Sequence, residues 1–198
     1  MTSILKADTI QDAAGNNIIN EAGDVITIGA SGDTINVASG ATNNLGITEA
    51  DQWRLTATIT SDTDPISANL ERVDDATFSK MGTGMSVSSG IFTFPSTGLY
   101  YVNAQGQIFP ASGDNVYIAT YVSSNSGGAY DQVIQTNFGS AGGQQGGGVN
   151  NCTFVNVTNA STFRIKFAVG SMAVGSELNG DTNYNFTNFT FIRLGDSQ

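Results

Sequence analysis

The sequence predicts an all-β protein: a sandwich of short strands behind a short extended or intertwined N-terminal β-segment. Three observations carry this. Charged residues make up 12% of the 198-residue chain, about half the usual ~25%, while glycine (24 residues), Asn, Ser and Thr are abundant. From Trp53 onward, alternating apolar and polar residues recur in short runs, each bounded by Gly, Asp, Asn, Ser or Pro. No run carries the helical period that an α/β enzyme requires.

The runs come in a regular order. WRLTATITS (53–61) alternates throughout and is followed by TFSKM (77–81), MSVSS (85–89), IFTFP (91–95) and GLYYVNAQGQIF (98–109). Then come NVYIATYVSS (115–124), YDQVIQTNF (130–138), VNNCTFVNV (149–157), STFRIKFAV (161–169) and NYNFTNFTFIRL (183–194). The connections have hairpin lengths, and regular short strands with turn punctuation point to a sandwich. The glycine-rich interval FGSAGGQQGGGVN (138–150) reads equally as a binding loop that reshapes on contact and as a tolerated surface insertion.

Residues 1–50 stand apart from the head at 51–198. DVITIG (24–29) and DTINVA (33–38) align with a nine-residue offset, Asp24 with Asp33, Ile26 with Ile35, Ile28 with Val37. ILKADTIQ and NNIINEAG look like degenerate versions around a turn at DAAGN. Such a segment is too thin for a core of its own. It reads as a β-stalk in which three chains bring Ile26, Ile28, Ile35 and Val37 together, or as a leader packed on the domain. NNLGITEAD (43–51) reads as the joint.

Composition removes several functions. The net charge is −10 with seven basic residues and no cluster among them, so a phosphate-neutralising nucleic-acid surface is not expected. No apolar stretch approaches the length of a membrane span, and MTSILKADTIQ lacks the apolar run of a secretion signal. Membrane insertion and export by the usual signal are therefore not expected. The single cysteine, Cys152, reads as a small apolar filler. With no histidine, the usual triads and most zinc sites are absent, and the chain is read as a non-enzyme. The pairs Asp62/Asp64 and Asp74/Asp75 sit in turn-like contexts, SDTDP and RVDDAT, unsuited to glycoside hydrolysis. No cofactor is expected; calcium is the alternative use of these carboxylates. Sequons at Asn151, Asn156, Asn159, Asn185 and Asn188 read as by-products of an Asn- and Thr-rich strand alphabet. Tyr117, Tyr121 and Tyr130 are candidates for stacking on a sugar, against ordinary packing.

GIFTFPSTGLYYVNAQGQI (90–108) resembles the signature of the C1q/tumour-necrosis-factor-like jelly roll. Phe92, Phe94, Pro95, Gly98, Tyr100 and Tyr101 occupy its positions, and NYNFTNFTFIRLG resembles the family's last strand. The resemblance spans about residues 53–195 and implies a jelly-roll head that forms a compact homotrimer. Strand alternation puts Phe92 and Phe94 on one face, and sets Tyr100 and Val102 against Tyr101 and Asn103. In the last strand Phe186, Thr190 and Ile192 share parity, opposite Phe189 and Phe191, so aromatics are expected on both faces. The core or trimer-interface candidates are therefore Phe92, Phe94, Tyr100, Tyr101, Phe186, Phe189, Phe191 and Ile192. The opening, SILKADTIQDAAGNNII, resembles leaders of structural proteins from tailed phages, especially marine ones. Together these imply a virion protein, assembled in the host cytoplasm. It would be a trimeric fibre or appendage joined to another virion protein through residues 1–50, its head contacting a host-surface glycan or protein. The alternatives are a capsid decoration protein and, from another class, a glycan-active enzyme.

Overall fold

The computed structural model describes residues 9–11, 13, 17–22, 25–29, 32, 34, 46–76, 78–143 and 145–198. The chain divides into two compact units, Met1–Asn43 and Asn44–Gln198.

The first unit contains β1 (Thr9–Gln11), β2 (Asn17–Ala22) and β3 (Val25–Ile28), an antiparallel meander in the order β1-β2-β3. The first nine-residue unit read in the sequence thus forms β3. Ile35 and Val37 lie outside the described residues.

The second unit is an antiparallel two-sheet sandwich with the jelly-roll order. One sheet runs β10-β9-β12-β7-β6, built from β6 (Ser86–Ser88), β7 (Ile91–Thr93), β9 (Asn115–Ser123), β10 (Asp131–Gly139) and β12 (Arg164–Gly170). The other runs β11-β8-β14-β4-β5, with β13 pairing β8. Its strands are β4 (Ala50–Leu55), β5 (Leu70–Arg72), β8 (Gly98–Phe109), β11 (Gly147–Val157), β13 (Glu177–Leu178) and β14 (Asn188–Gly195).

Alternation decides what each strand buries. Along β8, Tyr100, Val102, Ala104 and Ile108 point into the core, while Leu99, Tyr101, Asn103, Gln105 and Gln107 point out. The core centres on Phe92, whose ring lies 5.6 Å from Trp53, 5.7 Å from Phe167 and 5.3 Å from Phe191. Phe167 and Phe189 stack at 4.1 Å. Such ring pairs add to the burial of area. Phe94, Tyr100, Phe189 and Phe191 are likewise buried. The turn from β6 to β7 is Ser89-Gly90, both with positive φ, the geometry of a two-residue hairpin. A Cβ at Gly90 would run into the backbone of Ile66.

Four expectations need correction. TFSKM is not a strand: Phe78–Lys80 are loop, and Met81 forms an isolated bridge to Ala50. The first head strand begins at Ala50 and stops at Leu55, and the chain that follows pairs through isolated bridges, Ile59 to Leu178 of the same sheet and Thr63 to Val169 of the other. Phe186 precedes β14, so the outward side of that strand carries Asn188, Thr190 and Ile192 and no aromatic. The glycine-rich interval is also not all loop, since β10 runs to Gly139 and β11 starts at Gly147.

Two of these glycines make room for rings. A Cβ at Gly146 would strike Phe109, and one at Gly147 would strike Phe138, whereas one at Gly148 would meet none of the described residues. Gly147→Ala is expected to lower stability by about 1–3 kcal/mol through overpacking. Gly148→Ala should stay within about 0.5 kcal/mol of wild type. Urea denaturation of the two variants checks the contrast.

Tyr100 gives the core an alkaline limit. Burial pushes its ionisation above 10.0 and the Glu49 charge adds to this, against the Ser96 hydroxyl bond and the Arg193 charge. Its hydroxyl donates to Ser96 O at 3.1 Å. The unfolded tyrosine ionises near 10, so this contribution is complete below about pH 10 and falls as the pH rises past it. Urea midpoints measured from about pH 9 to about pH 11 should drop more in wild type than in Tyr100→Phe.

Candidate functional site: the outer face of the six-stranded sheet

Strand register assembles one surface from residues far apart in sequence. Phe154 of β11 lies opposite Tyr101 of β8, Tyr101 opposite Ile192 of β14, Ile192 opposite Ala50 of β4, and Ala50 bridges Met81. These five residues form an apolar row across the outward face. Phe154 is 64% exposed, and its ring meets Tyr101 edge-on at 6.0 Å. Exposed contiguous apolar surface of this kind marks interaction sites.

Polar rows follow along the same face. Cys152, Asn103, Thr190 and Gln52 make the next one, and Asn150, Gln105, Asn188 and Arg54 another. Gln52 Nε2 donates to Thr190 Oγ1 at 2.8 Å, and Asn185 Nδ2 donates to Gln52 Oε1 at 3.2 Å. Asn103 Oδ1 is buried and has no partner among the described residues. A hydrogen bond with Cys152, with burial added, raises the Tyr101 hydroxyl above its usual range. Cys152 is a free, exposed thiol on this face. It is not the apolar filler expected from its strand, because register turns its side chain outward while Val155 and Val157 fill the core.

At the end of the sheet opposite the apolar row lies a pocket of about 440 Å³. Gln105, Gln107, Phe109, Gly148, Asn185 and Phe186 contribute to its wall. Phe186 stacks on Tyr184 with centroids 5.7 Å apart and planes at 25°.

Of the residues singled out in the sequence, Phe92, Phe94, Tyr100, Phe189 and Phe191 lie in the core. Tyr101 and Ile192 lie in the apolar row, and Phe186 lies at the pocket. Phe154 and Met81 were not anticipated, although in VNNCTFVNV the parity of Cys152 and Phe154, opposite to Val155 and Val157, is legible.

The N-terminal unit shows a second row. Register aligns Ile10 with Ile19 and Ile19 with Ile28, and the three are 39%, 38% and 54% exposed. They recur every nine residues, so the period continues backward from the two units read in the sequence. Ile26 lies in β3 opposite Glu21.

The carboxylate pairs are engaged with protein. Asp62 accepts from Met172 N at 2.8 Å, Asp64 pairs with Lys166 at 2.5 Å, and Asp74 pairs with Arg54 at 2.8 Å. No three His, Cys, Asp or Glu side chains gather around a cation position among the described residues. The tyrosines considered for sugar stacking pack on the other sheet. Lys166 Nζ lies 4.9 Å from the rings of both Tyr121 and Tyr130, and the Tyr117 hydroxyl lies over Gly170. Asn151, one of the sequons, is buried: its amide accepts from Thr120 Oγ1 and donates to Ile118 O, both at 3.0 Å.

The comparisons with known proteins agree with this architecture. No protein-family profile matches the chain, and no curated protein sequence does. The crystal structure of murine APRIL at pH 5.0 matches with a TM-score of 0.56 at 11% identity, over 74% of this chain and 98% of that one. The structure of Eiger TNF from S. frugiperda matches with a TM-score of 0.58 at 13% identity, over 77% of this chain and 96% of that one. At such identities the likeness is one of fold. The described residues are all-β, and the two antiparallel sheets of the second unit form a TNF/C1q-like jelly-roll sandwich.

Proposed function

We propose that the chain is a structural protein of a tailed-phage particle, a homotrimeric appendage whose head contacts the host surface. The observation that carries the trimer is the apolar row Phe154–Tyr101–Ile192–Ala50–Met81, left unpartnered on the sheet face of a single chain. A second copy laid on that face removes it from water, and burying one such side chain is worth roughly 1.5–3 kcal/mol. The isoleucine row of the N-terminal unit supports a second association. Three strands with a hydrophobic face are about the minimum for independent stability, and two further copies would cover the exposed isoleucines. The phage assignment rests on the likeness of SILKADTIQDAAGNNII to leaders of such proteins. In this reading residues 1–50 join the trimer to another particle protein. The whole assembles in the host cytoplasm and leaves with the virion. Its work is binding without turnover, with avidity from three heads where the sites are engaged together.

Quantitative mass spectrometry of purified particles tests the assignment. A copy number far below that of the capsid subunit is expected of an appendage. A number equal to the capsid subunit would make the chain a decoration protein, and absence from particles would remove the phage reading. Incubation with host polysaccharide should give a flat time course of reducing ends; steady release would make the protein an enzyme.

A further inference from the structure

We infer that the pocket at the far end of the six-stranded sheet binds a neutral carbohydrate, with Phe186 as its stacking platform and the amides of Gln105, Gln107 and Asn185 as its hydrogen-bonding groups. This deepens the host-contact reading above by naming the ligand class, and it rests on that reading for its biological setting alone.

The lining decides the class. Among its described residues the pocket carries no Asp, Glu, Lys or Arg, so an anion or a cation finds no counter-charge there. What it offers is aromatic faces and primary amides. A sugar ring has an apolar C–H face that packs on an aromatic ring, and hydroxyls that both donate and accept, as an amide does. The volume, about 440 Å³, falls in the ~300–1,000 Å³ range of small-ligand sites.

The amides are held from behind with one end left over. Gln107 Oε1 accepts from Asn179 Nδ2 at 3.1 Å, which fixes the side chain and leaves its Nε2 hydrogens for a ligand. Asn185 Nδ2 donates to Gln52 Oε1 at 3.2 Å, which leaves Asn185 Oδ1 as an acceptor. One donor end and one acceptor end, both positioned before binding, lower the ordering cost of recognition. Gln105, two residues before Gln107 on β8, is exposed. The opposite wall is the start of β11, where a Cβ at the outward position Gly148 would meet none of the described residues within 4 Å. A side chain there would narrow the entrance. Tyr184, outside the lining, is 63% exposed and stacks on Phe186, which braces that ring. The pocket lies away from the apolar row assigned to copy–copy contact.

The test is isothermal titration of the full-length protein with three neutral hexasaccharides, an α-glucan, a β-glucan and an N-acetylglucosamine oligomer, beside an anionic uronate hexamer. At least one neutral probe is expected to bind with a sub-millimolar Kd. Phe186→Ala should weaken it at least tenfold, and Gly148→Leu should weaken it by a similar factor by filling the pocket. Tyr121→Ala, on the other sheet, should leave it within twofold. Thermal midpoints of the variants establish that each remains folded. No binding of any neutral probe, preference for the uronate, or an unchanged Kd in Phe186→Ala would each overturn the proposal. Binding seen with the dissociated variant Phe154→Asp but not with the wild-type assembly would also overturn it, by giving the pocket to the contact between copies. Light scattering on the same samples keeps the two readings apart. A trimer without sugar binding removes the pocket assignment alone, and a sugar-binding monomer removes the trimer alone.

Discussion

Phe154→Asp is expected to reduce the solution mass of the protein to that of a single 20.6 kDa chain while leaving its fold intact. Phe154 sits at one end of the outward apolar row with 64% of its surface open to water in one chain. In an assembly that buries the row, each copy loses roughly 1.5–3 kcal/mol of burial and must desolvate a carboxylate, which costs several kcal/mol more. The penalty recurs in every copy, so it multiplies in the association constant. Within one chain the cost is small. The phenyl ring lies outside the core and meets Tyr101 edge-on, so folding stability should change by no more than about 0.5 kcal/mol. Light scattering with a urea curve on the same sample separates dissociation from unfolding. A folded Phe154→Asp that keeps the wild-type mass would place the contact on another surface. Cys152, two residues away on the same strand face, supplies an internal check: its thiol should react slowly with a bulky maleimide in the wild-type assembly and quickly in the variant.

Asp51→Ala is expected to cost about 3 kcal/mol of head stability, the largest single-residue effect anticipated for a polar side chain in this fold. Asp51 is buried on the inward side of β4, opposite Phe191 of β14. Its carboxylate accepts from Gln52 N at 3.0 Å, Trp53 Nε1 at 3.0 Å and Met85 N at 2.7 Å, and it pairs with Arg72 Nε at 3.0 Å. Arg72 also lies over the Trp53 ring at 4.6 Å and donates to Met85 O. One side chain thus ties β4 to β5 and to the residue that leads into β6. Removing it strands the Met85 and Trp53 donors and uncouples the guanidinium. Breaking a buried pair from one side costs ~3–5 kcal/mol, and the water access that Arg72 retains puts the value at the lower end. For a head of this size the midpoint should fall by roughly 6–12 °C. Asp51→Asn keeps an acceptor and should lose about half as much.

How much of this was legible depends on whether the signal was local. β8 was read with its observed limits because GLYYVNAQGQIF alternates over its whole length between a proline-turn and a loop. The same parity separates Tyr100 from Tyr101 but does not say which of the two faces the core. β5 and β13 were missed because three and two residues carry no period. Nothing in NNLGITEAD announces that its last residue, Asp51, faces a core completed by residues more than a hundred positions away. The apolar row was hidden for the same reason: Phe154, Tyr101, Ile192, Ala50 and Met81 become neighbours through sheet register, and register is a property of pairs of strands. The isoleucine row was half visible. The nine-residue offset was seen in two units, but Ile10 and Ile19 sit in sequences too degenerate to align without the strand pairing.

We propose that the head associates through its six-stranded sheet. The most direct test is the mass by light scattering of residues 44–198 beside that of the full chain. Trimers from both are expected, because the apolar row lies entirely within the second unit. Monomers from both would remove the sheet contact, and a monomeric head with a trimeric full chain would move the association to the isoleucine row of the N-terminal unit.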